Sequence, residues 1–358
     1  MSVMRESVFS LYILKAVSAV LIVFIHLPGI GFEATVLQPL MRIGVPCFFM
    51  ITGYFLIDWE SVLQSRMGNI FYQCSNGRRV IEQIYKVLVL TVKINIVYCF
   101  LLALKRYVYD CPIFSFDITS SNDYIKLLRL LFVGDVIDSV FWYLTSLWEA
   151  LVVIYFLLKV FRGDPSKTFK FLFLCTPLLL FCSILFNRYS FLMNTEFDIS
   201  ISRNFLFVAI PCITLGMSAR KYKERLMVKK NALDSLLVIT VILAYVEFGL
   251  LHIFDISGSG ADFNMMTYPL AFLCFLFCCN HNRLGFIPKY IEDHLVKIGK
   301  FYSGPIYLYH SFTYHVLFLL TMLVPFLRYT LNAEAVILVI IVTIITSQRI
   351  KDYATDRL

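Results

Sequence analysis

Apolar residues fill most of this chain in long runs separated by short polar connections, the pattern of a helical membrane protein. A spanning helix needs about 20 predominantly apolar residues at 1.5 Å of rise each. Such stretches fall at 8–27, 41–57, 84–104, 140–160, 169–186, 203–218, 233–252, 264–280, 302–326 and 331–347. They predict an all-α, polytopic membrane bundle of about ten transmembrane helices. The runs are too long and too continuously apolar for alternating strands of roughly ten residues, which excludes a closed β-barrel.

Several of these runs carry polar residues that a lipid-facing helix would not choose. Lys15 and His26 sit in LYILKAVSAVLIVFIHLPG, and Arg42 stands near the start of MRIGVPCFFMITGYFL. A charge at bilayer depth costs roughly 2.5 to 3.5 kcal/mol on insertion scales, so such residues are normally turned inward and functional. Lys15 and His26 are eleven residues apart, which closes to within about 20° of three full helical turns. With Ser18 and Ile22 they form one narrow stripe over about 16 Å of depth. The returning second helix brings Arg42 to the same outer level as His26.

Composition and charge then set orientation and exclude other classes. Hydrophobic residues make up 59% of the 358 and charged residues only 16%, against roughly 25% charged in soluble domains. With a cytoplasmic amino terminus, most Lys and Arg fall on the inner side, including Arg78, Arg79 and the cluster from Arg220 to Lys230, so both termini are expected in the cytoplasm. The net charge of +8 is divided among separate short loops, which argues against a nucleic-acid partner. The ten cysteines lie mostly inside spans and show no metal-ligand spacing, so neither a metal site nor a disulfide framework is expected.

The chain reads as a single membrane domain over 1–358 with no appended soluble domain. Its first segment carries Lys15 and no small-residue cleavage pattern, and is read as a permanent helix. The longest outer connection, 105–139, contains NDYIKLLRLLFVGD, an amphipathic stretch expected to lie along the membrane surface.

The polar residues suggest chemistry. His26 is a candidate general base or nucleophile, because imidazole titrates nearest neutrality; a headgroup-level histidine is the plainer alternative. Arg42 is a candidate partner for a developing oxyanion or for lipid headgroups. His310 and Tyr307, one turn apart, are read as supporting residues, with satisfied hydrogen bonding inside the bundle as the first expectation for His310. Glu149 and Glu247 are buried acids expected to pair with Lys15, Lys93 or Arg203. Trp142 is either an interfacial anchor or a stacking surface for a sugar ring.

VFIH at 23–26, RIGVPCFFMITGYFL at 42–56, FWYLTSL at 141–147 and GKFYSGPIYLYH at 299–310 resemble the acyltransferase-3 family of integral-membrane acyltransferases. The resemblance covers nearly the whole chain, and the second and fourth motifs are its most specific parts. It implies a bacterial cytoplasmic (inner) membrane enzyme that moves an acyl group, commonly acetyl, from cytoplasmic acyl-CoA to a hydroxyl of a cell-envelope glycan or its lipid-linked precursor. By that similarity His26 matches the essential histidine and Lys15 takes the place of an arginine. Arg78 and Arg79 match a basic pair implicated in holding the CoA phosphates, although the inner-side charge bias alone would also place them. Tyr12 stands where many members have aspartate, and Thr52 where many have serine. A transporter or flippase with Lys15, His26 and Glu149 along a polar path is the competing reading; the lack of a repeat between the halves weighs against it.

Overall fold

The computed structural model describes residues 9–27, 32–60, 62, 71–108, 139–256, 262–321, 324 and 335–349, and among these every regular element is helical. In chain order the main helices are α1 (Phe9–His26), α2 (Phe32–Met41), α3 (Gly44–Leu56), α4 (Phe71–Val108), α5 (Trp142–Val160) and α6 (Pro165–Leu185). They are followed by α7 (Ile210–Lys221), α8 (Lys230–Ile253), α9 (Thr267–Asn280), α10 (Lys289–Phe301), α11 (Ser303–Leu320) and α12 (Ala335–Arg349).

Seven segments among the described residues are long and apolar enough to cross a membrane: Phe9–His26, Val36–Leu56, Asn76–Leu101, Ser139–Val160, Pro165–Leu185, Ile199–Lys221 and Lys230–Ile253. The other three predicted stretches coincide with α9, α11 and α12. α9 and α12 are shorter apolar helices, and α11 carries Ser303, His310, Ser311 and Thr313 in its 18 residues.

Local chemistry explains where the boundaries depart from expectation. The stretch 41–57 is not one helix, since α2 ends at Met41 and α3 begins at Gly44. A continuous helix would need residue 46 to donate to the Arg42 carbonyl, but Pro46 has no N–H and its ring would press on that carbonyl. The chain therefore turns at Arg42 and Ile43, and regular bonding resumes when Cys47 N–H donates to the Ile43 carbonyl at 3.0 Å. α6 starts four residues before the predicted 169 because Asp164 caps it, accepting from Ser166 N at 2.8 Å and Lys167 N at 3.2 Å. α4 runs 38 residues, about 57 Å, well beyond the roughly 30 Å of a hydrocarbon core. The segment 122–135 expected to lie on the surface falls outside the described residues.

Large apolar side chains face outward along the long helices. On α4 a stripe of Ile81, Tyr85, Leu88, Val92, Ile96 and Phe100 is exposed at spacings of three and four, the inverse of a soluble amphipathic helix. Burial sorts the spans: 67% of the most apolar window is buried in both Val36–Leu56 and Ser139–Val160, against 17% in Lys230–Ile253. Two of the four family-like motifs thus lie on the best covered helices.

Two compact units make up the chain. The first comprises Met1–Phe48, Lys223–Phe248 and Met266–Leu358, and the second Phe49–Tyr222 and Gly249–Met265. In the first, α2, α9, α10 and α11 pack on α1. Two glycines permit close approaches: a Cβ on Gly299 of α10 would overlap the Tyr12 carbonyl, and one on Gly44 would sit 3.0 Å from Ile22 Cγ1 and from the Ser18 carbonyl oxygen. α10 was not expected from the sequence, because its charged residues break the long apolar run by which spans are recognised. In the second unit α5 packs on α4, where Tyr98 meets Phe141 edge-on with centroids 4.5 Å apart. There α3 and α7 cross with their backbones touching: a Cβ on Gly53 would overlap the Ile213 carbonyl, and one on Gly216 the Met50 carbonyl.

Candidate functional site

α1 carries its polar stripe toward protein. Ser18 and Ile22 are buried, Lys15 and His26 half-buried, and Val17 on another face is exposed. His26 is the last residue of α1. Its imidazole meets that of His310 on α11, with ring centroids 5.4 Å apart and planes tilted by 39°.

His310 is 0% exposed. Its Nδ1–H donates to the Tyr307 carbonyl at 2.8 Å and is shared with the Ile306 carbonyl at 3.1 Å. A carbonyl only accepts, so Nδ1 carries a proton and Nε2 is the ring nitrogen left for other contacts. The Tyr307 ring stands 6.4 Å from that of His310 and 6.0 Å from Phe48. The Nδ1 bonds run to the backbone of the same helix, and the neighbouring imidazole was not foreseen. The motif 299–310 thus touches α1 at both ends, through Gly299 at Tyr12 and through His310 at His26.

Arg42 is half-buried in the turn between α2 and α3, two residues before Gly44, which lies against Ile22 one turn ahead of His26. Lys15, His26, Arg42, Tyr307 and His310 all belong to the first unit; Arg78, Arg79, Trp142 and Glu149 belong to the second.

In the second unit the two arginines diverge. Arg78 is exposed and pairs with Glu82 one turn along, at 3.1 Å. Arg79 binds Asp58 at 3.0 Å, and the Asp58 backbone N–H donates to Asn76 Oδ1 at 3.1 Å. The next residue, Trp59, receives the Lys221 ammonium over its ring at 4.7 Å, and that ammonium also faces Phe169 at 4.3 Å. Arg220 donates to Glu60 at 2.9 Å and lies over the Tyr54 ring at 5.4 Å. The ends of α3 and α7 therefore share a basic and aromatic cluster with Arg79. Sequence reasoning counted Arg220 and Lys221 only as inner-side charge and passed over Trp59. The signal was DWE at 58–60, an acid, aromatic, acid triplet one residue beyond the second motif.

Trp142 is buried rather than open to an interface. It packs on Phe49 at 6.4 Å, and the Arg203 guanidinium covers it at 6.0 Å. Arg203 is ion-paired with Asp262. Asn187 Oδ1 holds the Asp262 and Phe263 N–H groups, each at 3.1 Å, while its amide donates to Ser202 at 2.8 Å. Arg203 is thus committed to Asp262 and not to either expected glutamate. Glu247 instead accepts the Met266 N–H at 2.9 Å. Glu149 is 7% exposed, and its Oε2 has no hydrogen-bond partner among the described residues. Thr52 shares a hydrogen bond with the buried Tyr143 phenol, so a hydroxyl at 52 ties α3 to the FWYL turn.

A family model described as an acyltransferase domain matches residues 8–348, essentially the whole chain. No curated protein and no solved structure matches it.

Proposed function

The chain belongs to the acyltransferase-3 family and is a multi-pass membrane acyltransferase, and from that premise we propose that it transfers a short acyl group, acetyl by default, from cytoplasmic acyl-CoA to a hydroxyl of a cell-envelope glycan or its lipid-linked precursor. The enzyme works in the bacterial inner membrane with ten crossings and both termini in the cytoplasm, the arrangement that Lys and Arg favour.

The observation that carries this reading is the pairing of His26 with His310 at the end of the stripe that begins at Lys15. An unaided hydroxyl is too weakly acidic to attack a thioester. His26 accepts its proton as the oxygen attacks the acyl carbon; the carbon–sulfur bond breaks, and the leaving thiolate is protonated by the imidazolium. In the covalent variant the His26 imidazole nitrogen attacks the acyl carbon, the carbon–sulfur bond breaks and the thiolate leaves; the acceptor hydroxyl then attacks the acyl-imidazole, the acyl–nitrogen bond breaks, and the hydroxyl proton passes to the departing imidazole nitrogen. A cation opposes the charge that builds on the carbonyl oxygen, and Arg42 is assigned that role. Lys15 supplies a second cation on the His26 stripe, and Arg78 and Arg79 are assigned to the polyanionic end of the donor by charge-assisted bonds.

Detergent-purified protein given acetyl-CoA should release free thiol slowly, and quickly once an acceptor is added. His26→Ala should abolish both rates. Indifference of the wild-type protein to acyl-CoA would overturn the donor assignment, and an unaffected His26→Ala would overturn the role of the imidazole. Mass spectrometry of envelope glycans from a deletion strain and its parent should reveal the missing acyl mass and so identify the acceptor.

A further inference from the structure

Glu149 is a buried acid that the proposed reaction leaves unused. It is 7% exposed, within the well covered span Ser139–Val160 of the second unit. Its Oε2 has no hydrogen-bond partner among the described residues, nor does the carboxyl form an ion pair with any of them. Two of the cations expected beside it are elsewhere: Arg203 is committed to Asp262, and Lys93 is exposed on α4. A polar group buried without a partner loses the hydration it had in water, so such groups are rare in native proteins. An acid of this kind at bilayer depth marks a functional position.

α5 fixes where the carboxyl stands. Trp142, Ser146 and Glu149 follow one another at spacings of four and three, so they share a face of the helix, and all three are buried. Glu149 is seven residues from Trp142, about 10 Å along the axis, and Trp142 lies under the Arg203 guanidinium that Asp262 holds. Eleven residues separate it from Val160 at the other end of α5. That other end leads into α6, where Phe169 meets Lys221 of α7. Glu149 is therefore closer to the Arg203 end of the second unit than to the end that carries Arg220 and Lys221.

We propose that Glu149 is a specificity-determining residue for the acceptor, its carboxyl receiving hydroxyls of the acylated sugar ring other than the one that reacts. This rests on the function proposed above and adds the class of sugar to it. An ionised carboxyl offers lone pairs and no donor, so it recruits hydroxyl groups and repels a carboxylate or a phosphate. Two neighbouring ring hydroxyls match its two oxygens, whereas a uronic acid or a phosphorylated sugar brings the wrong charge. The acylated unit is accordingly a neutral sugar. Because the carboxyl has no partner to lose inside the protein, an apolar side chain of similar size in its place should not weaken the fold.

The test compares wild type, Glu149→Gln and Glu149→Leu in three measurements. Full-length protein in detergent is assayed for thiol release from acetyl-CoA without acceptor, which reads the donor half of the reaction. Membrane vesicles from a deletion strain carrying each version are given radiolabelled acetyl-CoA, and label entering the envelope glycan reads the whole reaction. Thermal unfolding in detergent reads the fold. Glu149→Leu should lower labelling about ten- to a hundredfold, the loss expected for a hydrogen bond to a charged group, and Glu149→Gln should lower it several-fold. Thiol release should stay within about twofold of wild type, and the thermal midpoint of Glu149→Leu should equal or exceed it. Unchanged labelling in both variants overturns the proposal, as does a parallel loss of thiol release or a fall in thermal midpoint that accounts for the lost labelling. Mass spectrometry of the labelled product should place the acyl group on a neutral sugar, and an acidic sugar there overturns the ligand class. A wild-type protein that neither releases thiol nor labels glycan overturns the proposed function and this proposal with it, whereas active wild type with equally active variants overturns the role of Glu149 alone.

Discussion

The imidazoles of His26 and His310 stand 5.4 Å apart, one at the end of α1 and the other fully buried on α11. The second ring is locked by its Nδ1–H bond to the Tyr307 carbonyl. A fixed neighbour of this kind restricts the orientations open to the ring it faces. On the function proposed above, His310 is a positioning residue for His26.

Replacing His310 tests that arrangement. His310→Asn retains an N–H for the helix carbonyls but removes the ring beside His26. Turnover should fall by about 10- to 100-fold, below the roughly 10²- to 10⁴-fold contributed by a general acid–base group itself because His310 only orients that group, with KM for acetyl-CoA nearly unchanged. A thermal midpoint that falls in step with activity would mark His310 as structural only.

The crossing of α3 and α7 should tolerate no side chain. Gly53→Ala and Gly216→Ala each drive a methyl group into backbone, at a cost of about 1 to 3 kcal/mol or more. Gly249→Ala meets nothing within 4 Å and should gain about 0.5 to 1 kcal/mol from helix propensity. Thermal unfolding in a single detergent would rank the three.

Arg203 and Asp262 form an ion pair with side-chain exposures of 19% and 6%. Asp262→Asn alone leaves a covered guanidinium without its counter-charge and should cost about 3 to 5 kcal/mol. The double variant Asp262→Asn with Arg203→Gln should recover part of that loss, as a double-mutant cycle of unfolding free energies would reveal.

Lys15→Arg restores the residue type usual in the family at this place. If the site needs only a cation, activity is retained or improved; complete inactivation in the thiol-release assay would show a geometry specific to lysine.

Much of the architecture could be read from residue order because lipid imposes a one-dimensional requirement. Every spanning segment must be apolar and hydrogen-bonded within itself, so the boundaries of α1, α5 and α8 agree with expectation to within a few residues. The break at Arg42 was also written locally, in Pro46 four residues on, but the continuous apolar run concealed it. α10 escaped notice for the opposite reason: it lies beside α1 with charges throughout, and only Gly299 betrays the contact.

Among candidate site residues, the stripe through Lys15 and His26 followed from helical geometry, because the two are neighbours on one element. The partners did not. Arg203 finds Asp262 59 residues away, and Lys221 meets Trp59 across 162 positions. Charge type could not distinguish those pairings from the expected ones with Glu149 or Glu247. The sequence by itself determined that the long apolar runs are helical and that His26 and Lys15 share a face. Tertiary structure alone decided that His310 sits beside His26, that Arg78 and Arg79 part company, and that Glu149 Oε2 is buried without a hydrogen-bond partner among the described residues. Periodicity and hydropathy act along the chain, whereas pairing and burial of polar groups depend on which helices cross and at what height.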